Sequence, residues 1–177
     1  MNIFIRSDLF RYKGSARNRD FIICYLTNAT FRWQVAFRLV SSPNVLERVV
    51  GYALWALNRN HQNIQISHRT KIGKGLYIGH NGPVVVNPTA VIGNNCNLSQ
   101  FVTIGSNENS AAVIGDNVYI GPSTCVVENV HIGNNVTIGA GSVVTKDIPD
   151  NATAAGNYAK VLNYHSPARY IQNIWKE

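Results

Sequence analysis

The stretch that decides the fold is Val113-Ile114-Gly115-Asp116-Asn117-Val118-Tyr119-Ile120-Gly121-Pro122-Ser123-Thr124-Cys125-Val126, resumed at Ile132-Gly133-Asn134-Asn135-Val136-Thr137-Ile138-Gly139. A branched aliphatic residue opens each unit of six, glycine often follows it, and a small or branched residue stands four places after the opener. Working outward, the openers are Ile66, Ile72, Ile78, Val86, Ile92, Leu98, Ile104, Ile114, Ile120, Val126, Ile132 and Ile138, with Val144 as a trailing partial unit. Thr70, Ala90, Cys96, Val102, Val118, Thr124, Val130, Val136 and Ser142 fill the fourth place.

An α-helix cannot use a period of six, because 3.6 residues per turn carries the apolar positions around the surface instead of holding them on one face. Short strands joined by tight corners can. The opener points inward, glycine or an Asn-Asn or Asp-Asn pair takes the unusual corner angles, and the small residue fills the interior. One such unit cannot bury its apolar face, so the units must stack as a solenoid. Twelve units at three per coil predict about four coils.

Two breaks in the period predict loops. Ile78 and Val86 are eight residues apart and enclose His80-Asn81-Gly82-Pro83; Ile104 and Ile114 are ten apart and enclose Ser106 to Ala112. Insertions in a solenoid often lie on its binding face.

Upstream of residue 64 the texture is helical, in Phe21–Leu26, Trp33–Val40 and Asn44–Asn58, and this segment is expected to cap the open end of the solenoid. Residues 149–177 form an extension whose Asn163–Glu177 part is read as a short helix. The expected division is therefore 1–63, 64–148 and 149–177.

The net charge of +7 is uneven: residues 1–63 hold nine Lys/Arg against three acids, and 64–177 hold seven against six. A basic leading segment can meet an anionic membrane surface or simply be solvated. Cys24, Cys96 and Cys125 form neither a disulfide framework nor a zinc motif. No export signal or spanning run is read, so the expected location is the cytoplasm, extending to the inner face of the membrane. Neither a metal nor nucleic acid is expected.

Of five histidines, His61, His68, His131 and His165 read as surface or corner residues. His80 stands apart, in the inserted loop directly after an Ile-Gly corner. Imidazole is the side chain best matched to proton transfer near neutral pH.

The run Ile72-Gly73-Lys74-Gly75-Leu76-Tyr77-Ile78-Gly79-His80-Asn81-Gly82-Pro83, with Gln100–Gly105, Ile138–Val144 and Ala154–Ala159, resembles the hexapeptide-repeat acetyltransferases. It is similar both to serine acetyltransferases and to capsule or exopolysaccharide (colanic-acid type) O-acetyltransferases. The resemblance covers residues 64–162. It implies a mainly β fold, a left-handed parallel β-helix, assembled as a homotrimer with acetyl-CoA as co-substrate. It further implies His80 as general base, Gln65 as the residue orienting it and the Ser106 N–H as oxyanion donor. Gly105, Ala140, Gly141, Ser142, Lys146 and Lys160 would meet the coenzyme, and Asn81, Asn107 and Asn109 the acceptor.

The sequence also departs from the serine acetyltransferase pattern. Gly79 stands where that group has aspartate before the base, Gln65 where it has the orienting aspartate, and Asn109-Ser110-Ala111-Ala112 where it has Asp-Arg-His-Pro. With those charges missing, the expected acceptor is a sugar hydroxyl of a surface polysaccharide or of its lipid-linked or nucleotide-sugar precursor. The alternatives are L-serine O-acetylation and, in a different class, a non-catalytic β-helix scaffold.

Overall fold

A computed structural model describes residues 1–58 and 63–176. His61 lies outside the described residues. Four helices lead the chain: α1 (Ile3–Lys13), α2 (Asn18–Thr27), α3 (Ala29–Val40) and α4 (Val45–Asn58). Three ends carry recognisable stops. Asn2 caps α1 by accepting from the Phe4 N–H at 2.9 Å, Gly14 closes it in the left-handed conformation, and Asn28 caps α3 through the Phe31 N–H at 2.8 Å. Gly51 lets α4 lie directly on α3, since a Cβ there would fall 2.3 Å from the Val40 nitrogen.

The rest is a parallel solenoid of five turns. One face stacks β1 (Ile64–Ile66), β3 (Val84–Val86), β6 (Thr103–Gly105), β9 (Cys125–Val127) and β12 (Val143–Val144). The second stacks β2 (Lys71–Ile72), β4 (Val91–Ile92), β7 (Val113–Ile114) and β10 (His131–Ile132). The third stacks β5 (Asn97–Leu98), β8 (Tyr119–Ile120), β11 (Thr137–Ile138) and β13 (Thr153–Ala155), with β14 (Lys160–Asn163) antiparallel on its outer edge.

Register accounts for the fifth coil beyond the four that the hexapeptides predict. On the first face Val85 pairs with Thr103 and Cys125 with Val143, the 18-residue coil that three hexapeptides require. Ile64 pairs with Val84 and Thr103 with Cys125, so the two breaks add residues outside an unbroken ladder. In the last coil Thr137 pairs with Thr153 over only 16 residues, and the small Ala154 takes the opener's place. The hexapeptide pattern therefore fades one coil before the solenoid ends.

The expected openers form the core. From Ile66 to Val144 they are buried, in one cluster with Ala90, Cys96, Val102, Val118, Val130 and Val136. Burial pushes the Cys96 thiol up to about 12. One corner column is built of Asn95, Asn117, Asn135 and Asn151, all left-handed, a conformation asparagine tolerates better than most residues. Their amides bond along the stack, Asn117 to Asn135 at 2.9 Å and Asn135 to Asn151 at 3.0 Å.

The helical segment caps the first coil, as expected: Trp33 and Phe37 of α3 belong to the solenoid's core cluster and stack at 5.4 Å. Polar groups fix the seating. Asp8 accepts from Arg38 at 2.8 and 3.0 Å and from the Leu76 N–H at 2.8 Å, while Arg38 also donates to the carbonyls of Ile72 and Gly73. Burial raises the Asp8 carboxyl above its ordinary range, and Arg38 pulls it part of the way back.

The expected C-terminal helix does not form. After β14 the chain runs as an irregular strap back toward the first coil. Pro167 interrupts helical hydrogen bonding, and the corners satisfy the strap's polar groups instead. The Ala168 N–H donates to the Asn135 carbonyl, Asn97 donates to the Tyr170 carbonyl, and Trp175 exchanges two bonds with the Asn95 amide.

Candidate active site

His80 lies at the corner where the chain passes from the third face to the first. Stacking at that corner is explicit: the Phe101 N–H donates to the Pro83 carbonyl, Ser123 to Gln100 and Gly141 to Pro122. His80, Gln100, Pro122 and Ala140-Gly141 therefore form one column over four coils, about 14 Å at the ordinary strand spacing. The imidazole is exposed and lines a cavity of about 140 Å³ together with Tyr77, Gly79, Asn97, Ser99, Gln100, Tyr119 and Pro122. Phe101, at φ 62°, holds a left-handed angle that is costly for a bulky residue, directly after Gln100.

The helical cap reaches this loop. Thr30 at the start of α3 donates to the Asn81 side-chain oxygen at 2.7 Å. Tyr12 of α1 donates to the Ile78 carbonyl at 2.7 Å, two residues before His80, and also meets Gln34. Burial drives the Tyr12 phenol well above its ordinary pKa, so it stays a neutral donor.

The other expected site residues divide between places. Gln65, Gly105, Ser106 and Asn107 line a separate groove of about 840 Å³ on the outer side of the first face, with Trp55, Val85, Cys125, Val127 and Glu128. Ser106 donates its hydroxyl to Glu128 at 2.7 Å, which holds that carboxyl below its usual range. Within one chain, then, the structure does not bring Gln65 or Ser106 into the cavity with His80. Asn109 is exposed on the same loop, whereas Ala111 and Ala112 turn into the core.

Ala140 and Gly141 are exposed on the column above His80, and nothing lies within 4 Å of a Cβ built on Gly141. Ser142 is different: it is fully buried, donates to the Gly139 carbonyl at 2.7 Å and accepts from the Gly156 N–H. Its side chain faces the interior rather than the exposed column. Lys146 and Lys160 are exposed.

Sequence reasoning missed Tyr77, Gln100 and Tyr119 as cavity residues. The period holds the signal, because Tyr77 and Tyr119 each precede an inward-pointing opener and must point outward. Of the remaining histidines, His68 packs edge-on against Tyr52, and His131 and His165 are exposed.

Comparison with known proteins places the chain in a family. A family model described as bacterial transferase hexapeptide (six repeats) matches residues 111–146. A serine acetyltransferase of Synechococcus elongatus is 30% identical over 172 residues, covering 91% of this chain and 67% of that protein. The chain belongs to the serine acetyltransferase family. The soybean serine acetyltransferase complexed with serine superposes with a TM-score of 0.70 at 32% identity, covering 91% of this chain and 70% of its own. A serine acetyltransferase in complex with CoA gives 0.67 at 25% identity, covering 89% and 68%.

Other curated serine acetyltransferases, from Arabidopsis thaliana and Staphylococcus aureus, are spanned over only 33% and 55% of their length. Membership carries acetyl-CoA-dependent acyl transfer, as expected of the enzyme class and co-substrate. It overturns the polysaccharide reading: the relatives act in serine acetylation, and neither the resemblance to the colanic-acid branch nor the glycan acceptor is supported.

The Thr30 contact yields a prediction. Thr30→Ala frees the Asn81 end of the His80 loop at a cost of about 1 kcal/mol in stability, so kcat should fall several-fold while the melting temperature shifts by only a few degrees. Unchanged turnover would show that the contact does not position the base.

Proposed function

We propose that this protein is an L-serine O-acetyltransferase using acetyl-CoA. The observation that carries the reading is the relation to serine acetyltransferases over 91% of the chain, and His80 stands at the mouth of a small cavity where such chemistry needs a base. The cavity has room for about four or five waters at roughly 30 Å³ each, which suits a three-carbon amino acid.

In the proposed reaction neutral His80 takes the proton of the serine hydroxyl as the oxygen attacks the thioester carbonyl. A tetrahedral oxyanion forms and collapses, the carbon–sulfur bond breaks, and His80 returns the proton to the departing thiolate. Acetyl-CoA supplies the activated acyl group. Its pantetheine arm runs along the exposed small residues Ala140 and Gly141, with Lys146 and Lys160 meeting phosphates.

A homotrimer completes the site. Its support is the outer side of the first face, where Val85, Cys125, Val127 and Trp55 line an open groove beside Gln65, Gly105 and Ser106. Leu46, Val49, Val50 and Leu57 of α4 also stand exposed. A neighbouring copy's His80 corner seated against this groove would bring the Ser106 N–H and the base to one reacting carbonyl. Light scattering should read three times the mass of the chain, and a monomer that is fully active would refute the arrangement.

For the reaction itself, His80→Ala should lower kcat for L-serine by about 10²- to 10⁴-fold with the melting temperature retained. Coenzyme A release dependent on L-serine, followed with a thiol reagent, reads it. Wild-type protein that releases no coenzyme A with L-serine, or a His80→Ala variant that keeps its rate, would refute the proposal.

A further inference from the structure

Two neutral groups of residues lining the His80 cavity have no hydrogen-bond partner among the described residues. The first is the Tyr77 hydroxyl. A Cβ built on Gly79 would lie 2.6 Å from Tyr77 Cε1 and 2.9 Å from its hydroxyl oxygen, so the phenol covers the backbone immediately before the base. That ring is held firmly, tilted on Tyr12 at 4.7 Å and with the Arg11 guanidinium 5.9 Å from its centroid. Its main chain is bonded to Cys96 and Leu98. Among the described residues its hydroxyl has no hydrogen-bond partner.

The second is Gln100 Oε1, which is buried and lacks a partner among the described residues. Gly82 of the His80 loop sits on this side chain: a Cβ there would be 3.0 Å from Gln100 Cβ. A buried unpaired carbonyl costs free energy unless something supplies a donor. Both residues line the same cavity as His80, and among the described residues no aspartate, glutamate, lysine or arginine lines it.

We infer that Tyr77 and Gln100 are the acceptor-recognition pair of this site, resting on the L-serine reading above. Gln100 Oε1 accepts an N–H of the substrate ammonium, and the Tyr77 hydroxyl donates to its carboxylate. The hydroxymethyl group is thereby turned toward His80. A zwitterion is held here by oriented neutral dipoles. Gly79 is part of the device, because any side chain there would displace the Tyr77 ring.

Steady-state kinetics of wild type, Tyr77→Phe, Gln100→Met and Gln100→Glu test this. Tyr77→Phe keeps the ring and its contacts with Tyr12 and Arg11, and Gln100→Met keeps the volume. Each should lower kcat/KM for L-serine by about ten- to a hundred-fold, mainly through KM, with KM for acetyl-CoA and the melting temperature unchanged. Gln100→Glu, which retains an acceptor oxygen, should keep L-serine binding.

An unchanged KM for L-serine in Tyr77→Phe and Gln100→Met would overturn the inference while leaving the serine reading intact. So would a parallel rise in KM for both substrates. If wild type itself fails to turn over L-serine, the serine reading falls and this assignment falls with it.

Discussion

The buried pair of Asp8 and Arg38 joins the two halves of this molecule, and the position of the candidate base depends on that joint. Arg38 spends its donors on the Asp8 carboxylate and on the carbonyls of Ile72 and Gly73; Asp8 answers with the Leu76 N–H and the Gln34 amide. The first coil has no coil beneath it, so its exposed edge groups must be met by something else. Burying an ion pair is poor evidence for stability, but removing one partner strands a charge and costs about 3–5 kcal/mol. The pair therefore acts as a registration device: it admits one seating of the helical cap on residues 72–76.

From that seating the rest of the site follows by short covalent and hydrogen-bonded steps. Arg11 donates to the Gly75 carbonyl, to Asn97 and to the strap at Gln172. Tyr12 holds the Ile78 carbonyl and packs on Tyr77, and Thr30 holds Asn81. Each contact flanks His80 without touching its ring. His80 thus projects from a loop whose two ends are fixed by different helices.

Much of this was legible in the sequence, for a physical reason. A strand–corner solenoid repeats one set of steric demands, so inward Ile, corner Asn or Gly and small fillers recur at fixed spacing. Both breaks in the spacing became loops outside an unbroken ladder. Legibility failed where the repeat relaxes. The 16-residue last coil and its Ala154 hid the fifth turn, and α1 escaped notice because its amphipathic pattern is faint, with buried Ser7, Asp8 and Arg11 among its apolar positions. The apolar spacing of the strap suggests a helix but is blind to Pro167 and to the corner amides that claim its backbone.

The acceptor is illegible in the sequence for a related reason. Missing aspartate and arginine suggested that a zwitterion had no partner, but a sequence does not show neutral dipoles converging from separate coils. Tyr77 and Gln100 lie 23 residues apart and meet only after stacking. That the Asp8–Arg38 joint fixes the His80 corner is tested most directly by hydrogen exchange on Asp8→Asn, with turnover measured on the same sample. The account predicts faster exchange through residues 72–82, lower turnover, and unaltered protection in the coils after residue 103; unchanged protection at 72–82 would contradict it.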